Sequence, residues 1–268
     1  MHLYESILPG GARIVGYLRD PNDHMPDYQV RPGMLIIPGG GYDHCGHREG
    51  DPVAMNFLNA GYQVFILTYT TANTTPAPLG FAPLRDAAGA ILHLRRNAEA
   101  LHLDPHRLAV CGFSAGGHLA ASTALLTHRP EICEALCAEA AQLCPDAVIL
   151  GYPVITSGAF THKDSIRNLA GQDPALWDLF SLENQVRPGL PPFFIWHTVA
   201  DELVPVENSL LLAGALQKNR ISYELHLFPH GSHGSSTCHR EVNHPDPHNA
   251  IWLPLCIDWL ADVFDFHL

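Results

Sequence analysis

Ser114 stands between two glycines in the run Val110-Cys111-Gly112-Phe113-Ser114-Ala115-Gly116-Gly117-His118, and that G-x-S-x-G spacing suits a serine nucleophile. A serine at the tip of a sharp strand-to-helix turn needs tiny neighbours two residues away, because side chains there would collide where the backbone crosses itself. The pentapeptide alone is common. Its context adds weight: Arg107 to Cys111 is a short apolar run, and Gly117 to Leu126 is rich in alanine and leucine, good helix formers.

A serine hydroxyl is a poor nucleophile at neutral pH, so it needs a histidine to take its proton and a carboxylate to orient that histidine. On this kind of turn the partners follow in the chain order serine, acid, histidine, each from a loop after a later strand. Asp201 comes just after the apolar run Phe193 to His197, with Glu202 beside it as a competitor for the acid role. Six histidines, His226, His230, His233, His239, His244 and His248, crowd the region of the last strand. His226 falls inside that strand, which points it into packing or solvent. Between His230 and His233 we favour His233, because Gly231 and Gly234 free it on a tight turn. A histidine-bound zinc is the rival reading of this density, but the spacings match no metal motif, and neither metal nor cofactor is expected.

Acyl transfer through a serine also needs hydrogen-bond donors for the developing oxyanion. The amide of Ala115, directly after the serine, is one candidate. The loop Gly39-Gly40-Gly41, with Gly40 and Gly41 as its donors, is the other, since glycines let backbone approach a substrate oxygen unobstructed. A phosphate cradle is the alternative for that loop, but no G-x-x-x-x-G-K-[ST] pattern occurs.

These residues need a scaffold. Strands are predicted at Arg13 to Leu18, Gly33 to Ile37, Tyr62 to Tyr69, Arg107 to Cys111, Ala147 to Tyr152, Phe193 to His197 and Ser222 to Phe228. Helices are predicted at Asp51 to Ala60 with Gly61 ending it, from about Leu84 to Leu101, Gly117 to Leu126, Val206 to Asn219 and Ile251 to Phe264. Strands alternating with helices predict an α/β fold with a mostly parallel, doubly wound sheet and chemistry at the carboxyl ends of the strands. Thr156 to Pro192 shows no clear periodicity, and its length makes it a candidate small cap inside a single domain of 1–268.

Composition narrows the classes further. The 268 residues are 47% hydrophobic and 16% charged, enough to bury a large core. A net charge of −12 disfavours nucleic acid and anionic membranes as partners. Seven cysteines in no dense framework, no basic-then-apolar leader and no run of membrane-span length lead to the expectation of a cytoplasmic protein with reduced thiols. Assembly into a homo-oligomer is left open.

The chain resembles the α/β-hydrolase superfamily, and within it the small acetyl-xylan and related carbohydrate esterases, described as lipase/esterase-like or sugar hydrolases. The resemblance spans nearly the whole chain. It rests on Pro38-Gly39-Gly40-Gly41-Tyr42, Arg48-Glu49-Gly50-Asp51-Pro52, Cys111 to Leu119, Trp196-His197-Thr198 with Asp201, Val204 to Ser209, and His233-Gly234. It implies Ser114 as nucleophile, Asp201 as orienting acid and His233 as base, in agreement with the spacing. It also implies that Glu49 and Tyr42 lie beside the site, with the Glu49 carboxylate ordering the glycine loop. The other reading of Glu49 is an exposed acid at a helix start. Pro38 departs from the pattern, since many relatives carry histidine there. The activity implied is hydrolysis of a small ester, with deacetylation of a sugar or xylo-oligosaccharide foremost. Peptide or amide cleavage by the same residues, or a non-catalytic binding role, are the alternatives.

Overall fold

The apolar run at Gly33–Ile37 is buried on both faces because it belongs to an interior strand. In the computed structural model, which describes residues 1–268, one sheet holds eight strands. They are β1 (His2–Ile7), β2 (Arg13–Leu18), β3 (Arg31–Ile37), β4 (Gln63–Thr68), β5 (Leu103–Phe113), β6 (Ala147–Gly151), β7 (Phe193–Thr198) and β8 (Tyr223–Phe228). Their spatial order is β1-β2-β4-β3-β5-β6-β7-β8. The pairs β1–β2 and β2–β4 are antiparallel, and every other neighbouring pair is parallel. The mostly parallel sheet expected from the sequence is therefore present.

Helices cover both faces. They are α1 (Asp51–Asn59), α2 (Ala82–Arg96), α3 (Ser114–Leu125), α4 (Pro130–Leu136), α5 (Ala140–Leu143), α6 (Lys163–Ala170), α7 (Pro174–Leu179), α8 (Glu207–Lys218) and α9 (Trp252–Phe264). Met34 and Ile36 of β3 pack in the layer of α1 and α9, with Phe57, Trp252 and Phe264. Leu35 and Ile37 point the other way, into the layer of α2, α3 and α8, with Ile91, Leu119 and Leu212. Strand period two thus splits one run between two cores. No helix is long and apolar enough to cross a membrane.

Local chemistry explains the boundaries. Gly61, at φ +94°, ends α1 in a left-handed turn: Tyr62 N–H donates to Phe57 C=O and Gly61 N–H to Leu58 C=O. That is the paired bonding of a Schellman cap, which glycine adopts without Cβ strain. The second helix stops at Arg96, five residues short of the predicted Leu101. Asn97 turns the chain there, its side chain donating to His93 C=O, and Leu103 N–H then bonds Ala98 C=O as the backbone bends into β5.

The expectation of an aperiodic stretch over Thr156 to Pro192 is corrected, because that segment contains α6 and α7. α6 buries Ile166, Leu169 and Ala170 at helical spacing, and α7 begins with Pro174 behind Asp173, whose carboxylate accepts from Ala175 N–H. β1 is a further element the sequence reading lacked. It pairs only with β2 at the sheet edge, and Leu3 and Ile7 remain exposed.

Candidate active site

Ser114 ends the β5-to-α3 turn at φ +54°, a left-handed conformation that a non-glycine residue adopts only under constraint. The glycines around it relieve the crowding. A Cβ on Gly112 would lie 2.2 Å from Gly116 C=O oxygen, and one on Gly116 would lie 2.2 Å from the Ile37 oxygen. The spacing read from the sequence is therefore steric: helix α3 packs directly on the end of β3.

Asp201 follows β7 and His233 follows β8, and both side chains reach Ser114. His233 Nε2 is 2.8 Å from Ser114 Oγ, and His233 Nδ1 is 2.7 Å from Asp201 Oδ2. Asp201 Oδ1 accepts from the N–H groups of Leu203 and Val204, each at 2.9 Å. Burial pushes the Asp201 carboxyl up, but hydrogen bonding to His197 and His233, the positive end of His233 and the Val204 amide outweigh it and hold the group well below the usual carboxylate range. An ionised Asp201 can only accept, so His233 donates through Nδ1 and keeps Nε2 free to take the serine proton.

The competing candidates lie elsewhere. Glu202 and His230 are exposed, and His230 contributes only its C=O, which accepts from Asn249 Nδ2 at 2.7 Å. That bond, with Thr198 Oγ donating to Gly231 C=O at 3.0 Å, holds the loop that carries His233. His226 bonds Glu224 at 2.6 Å, within the strand as expected. His244 is held by Arg48 and Ser232, and His248 packs on Phe228, so these rings serve separate partners.

The glycine loop is oriented carbonyl by carbonyl. Pro38 C=O accepts from Tyr69 Oη at 2.8 Å, Gly39 C=O from Gly46 N–H, Gly40 C=O from Asp43 and His44 N–H, and Gly41 C=O from Asn168 Nδ2 at 2.9 Å. With every carbonyl engaged on one side, the N–H groups of Gly40 and Gly41 donate to no protein acceptor. Ala115, second in α3, likewise has no helical acceptor for its N–H. Gly40 lies at φ +126° and Gly41 at φ +66°, and a Cβ on Gly40 would sit 2.1 Å from the His44 oxygen.

Glu49 is buried, not exposed at a helix start. Its carboxylate accepts from Gly39 N–H at 2.6 Å and from Tyr152 Oη at 2.7 Å. Burial raises its pKa, partly offset by Tyr152, Gly39 N–H, His233 and Arg48. The Tyr152 ring meets the His233 ring edge-on at 4.9 Å, so Glu49 links the glycine loop to the histidine's packing wall. Tyr42, next to Gly41, is buried. Its hydroxyl bonds His118 Nδ1 at 2.8 Å, and His118 Nε2 bonds Phe180 C=O at 2.9 Å, which ties the glycine loop through α3 to the 156–192 segment.

Two histidines that sequence reasoning left out belong to this framework. His197 is fully buried, with Nδ1 2.8 Å from Ser209 Oγ, Nε2 3.0 Å from Val204 C=O and Nε2 3.3 Å from Asp201 Oδ2. It closes the loop that presents the acid. His118 is also fully buried, and burial lowers its pKa to about 4. The unfolded chain, with an ordinary histidine near 6.5, binds more protons than the fold between these values. Stability from neutral His118 is complete above about pH 6.5 and falls as the pH drops toward 4, by on the order of 3 kcal/mol. Urea unfolding at pH 7 and pH 4 should show a smaller pH-dependent loss in His118→Gln than in the unaltered chain. Equal losses would contradict this.

The eight-stranded sheet, the helices on both faces and a serine on the β5–α3 turn define an α/β hydrolase. A family model, BD-FAE, matches residues 24–216, and the chain belongs to the BD-FAE family. It is 44% identical over 79% of its length to endo-1,4-beta-xylanase B of Butyrivibrio fibrisolvens, covering 33% of that protein. It is 30% identical over 78% of its length to an acetylxylan esterase of Xylanibacter ruminicola, covering 42% of it. The chain thus spans less than half the length of these two curated relatives. Among solved structures, it is similar to an acetyl ester-xyloside bifunctional hydrolase from Caldicellulosiruptor lactoaceticus, at 35% identity and TM-score 0.80, covering 96% of this chain and 89% of that one. A carboxylesterase from Lactobacillus plantarum matches at 28% identity and TM-score 0.86, covering 98% of each chain.

Proposed function

We propose that this chain is a serine-dependent carboxylic ester hydrolase that removes acetyl groups from acetylated sugars or short xylo-oligosaccharides. The observation that carries the reading is the hydrogen-bonded line Ser114–His233–Asp201 beside a loop whose Gly40 and Gly41 N–H groups have no protein acceptor. The names of the relatives support the acetylated-sugar substrate.

Ser114 Oγ attacks the ester carbonyl as His233 Nε2 takes its proton, and the carbonyl oxygen becomes an oxyanion. The N–H groups of Ala115, Gly40 and Gly41 are the donors for that charge. The imidazolium, steadied by the Asp201 carboxylate, then gives its proton to the departing sugar oxygen. Water enters, loses a proton to the same nitrogen and attacks the acyl-enzyme, and collapse of the second oxyanion releases acetate and restores Ser114. No step calls on a metal.

The test is acetate release from acetylated xylo-oligosaccharides, set beside butyrate release from the matching butyryl esters and cleavage of peptide amides. We expect acetate to be released fastest, and chelator to leave the rate unchanged. Faster amide cleavage, or activity lost to chelator and restored by zinc, would overturn the reading.

A further inference from the structure

Tyr152 follows β6 directly and is buried between two loops of the site, the glycine loop after β3 and the histidine loop after β8. The mechanism gives it no part. Its backbone lies at φ +36°, a left-handed conformation that tyrosine keeps only under constraint, and its N–H donates to Trp196 C=O at 2.8 Å. The ring is fixed as well, edge-on to Trp196 at 5.1 Å and to His233 at 4.9 Å.

The hydroxyl joins the loops in one direction. Tyr152 Oη accepts from the N–H of Ser236, three residues beyond His233, at 2.9 Å, and donates its own proton to Glu49 Oε1 at 2.7 Å. Glu49 Oε2 accepts from Gly39 N–H at 2.6 Å, so each carboxylate oxygen holds a donor that follows a different strand. A second tie runs beside the first: Ser236 Oγ donates at 2.6 Å to the C=O of Arg48, the residue before Glu49. Glu49, Tyr152, Ser236 and Arg48 thus form a closed ring of hydrogen bonds and backbone, with Gly39 attached at Glu49. Trp252 Nε1 donates to Ser236 C=O at 2.9 Å and anchors the ring to α9.

This ring lies against the nucleophile. A Cβ on Gly39 would be 2.8 Å from Glu49 Oε2 and 2.9 Å from Ser114 Cβ, which puts the carboxylate within about 6 Å of the serine. Ser236, at φ +49°, shares the left-handed conformation of Tyr152. Such conformations persist only where the surrounding bonds over-determine the backbone.

We infer that Tyr152 is a positioning residue for ester hydrolysis, its hydroxyl setting the loop that carries His233 in fixed register with the loop that carries the Gly40 and Gly41 donors. This rests on the ester-hydrolase reading and deepens it by naming what holds the two halves of the site together. Glu49 is the shared acceptor. A ring without its hydroxyl still packs on His233 but no longer joins the loops. Proton transfer to His233 and capture of the oxyanion belong to one transition state, so looseness between the loops weakens transition-state binding more than substrate binding.

The experiment measures kcat and KM for p-nitrophenyl acetate, and Ki for trifluoroacetophenone, in the full chain, in Tyr152→Phe and in Ser236→Ala. The ketone reports on the transition state: Ser114 Oγ bonds its carbonyl carbon, the serine proton passes to His233 Nε2, and the carbonyl oxygen becomes an oxyanion for the Ala115, Gly40 and Gly41 N–H groups. We expect kcat to fall between about ten- and a hundredfold in Tyr152→Phe with KM within about twofold, and Ki for the ketone to rise by the factor by which kcat/KM falls. Ser236→Ala, which removes the tie to Arg48 and leaves the tyrosine hydroxyl in place, should give a smaller change in the same direction. Unchanged kcat in folded Tyr152→Phe overturns the inference, and if that variant does not fold, unchanged kcat in Ser236→Ala does so. A loss of kcat with unchanged ketone Ki also overturns it, since a smaller folded fraction lowers turnover without weakening the ketone. Failure of the unaltered chain to cleave p-nitrophenyl acetate is a different outcome, which removes the ester-hydrolase reading and this inference with it.

Discussion

Replacing Ser114 by alanine should abolish hydrolysis of p-nitrophenyl acetate, with a fall in kcat on the order of 10⁴-fold or more, while the fold is retained. The size follows from losing the atom that, in the proposed mechanism, forms the acyl-enzyme. Retention of fold follows from local structure: Ser114 occupies a left-handed turn, and alanine removes one hydroxyl whose partner His233 is part-exposed and can turn to water. The unfavourable φ is present in both proteins, so the substitution adds no new strain. The checks are the pre-steady-state burst of p-nitrophenol with substrate in excess, which should vanish, and an unchanged urea midpoint. Undiminished turnover would remove Ser114 as nucleophile.

The second large effect separates two neighbours in sequence. His233→Ala should lower kcat by a similar order, because without an acceptor at 2.8 Å the serine keeps its proton. His230→Ala should leave kcat within about threefold, since the ring is exposed and only its backbone C=O is used, by Asn249. Steady-state kinetics on both variants, with the Ser114→Ala, His233→Ala double variant as control, decides the matter. If both residues act in one step, the double variant is no slower than either single one. The reverse order of effects, with His230→Ala the more damaging, would overturn the assignment.

Most of the fold was legible because interior parallel strands announce themselves. Gly33–Ile37, Ala147–Leu150 and Phe193–Trp196 are apolar at successive positions, as strands buried on two faces must be, and Gly61 marked the end of α1. β1 gave no such signal. An edge strand that packs only one face, through Tyr4, needs no apolar run, and its pairing with β2 is a backbone matter. α6 was readable in principle from Ile166, Leu169 and Ala170, but eight residues offer a single apolar stripe that flanking Gly and Pro residues obscure.

The site was legible where chemistry and chain order coincide. Ser114, Asp201 and His233 each follow a strand, and the parallel sheet brings such loops to one edge. Contacts made through space were not. The resemblance set Glu49 on the glycine loop, but nothing in the order of residues says that its carboxylate also takes the Tyr152 hydroxyl, that the Tyr42 hydroxyl goes to His118, or that His197 sits 3.3 Å from Asp201. Long-range pairings of this kind depend on how two layers meet.

The steric jam at Gly112, Gly116 and Gly39 divides the molecule by its tolerance for change. A Cβ on Gly39 would lie 2.6 Å from the Phe113 oxygen and 2.9 Å from Ser114 Cβ, so neither side of the turn accepts even a methyl group without backbone movement. Diversity in libraries built on this scaffold therefore has to enter away from that turn, at exposed positions of the 156–192 segment such as Phe160, Lys163 and Asp164. New substrates would be selected there, against a reaction centre that selection cannot rewrite.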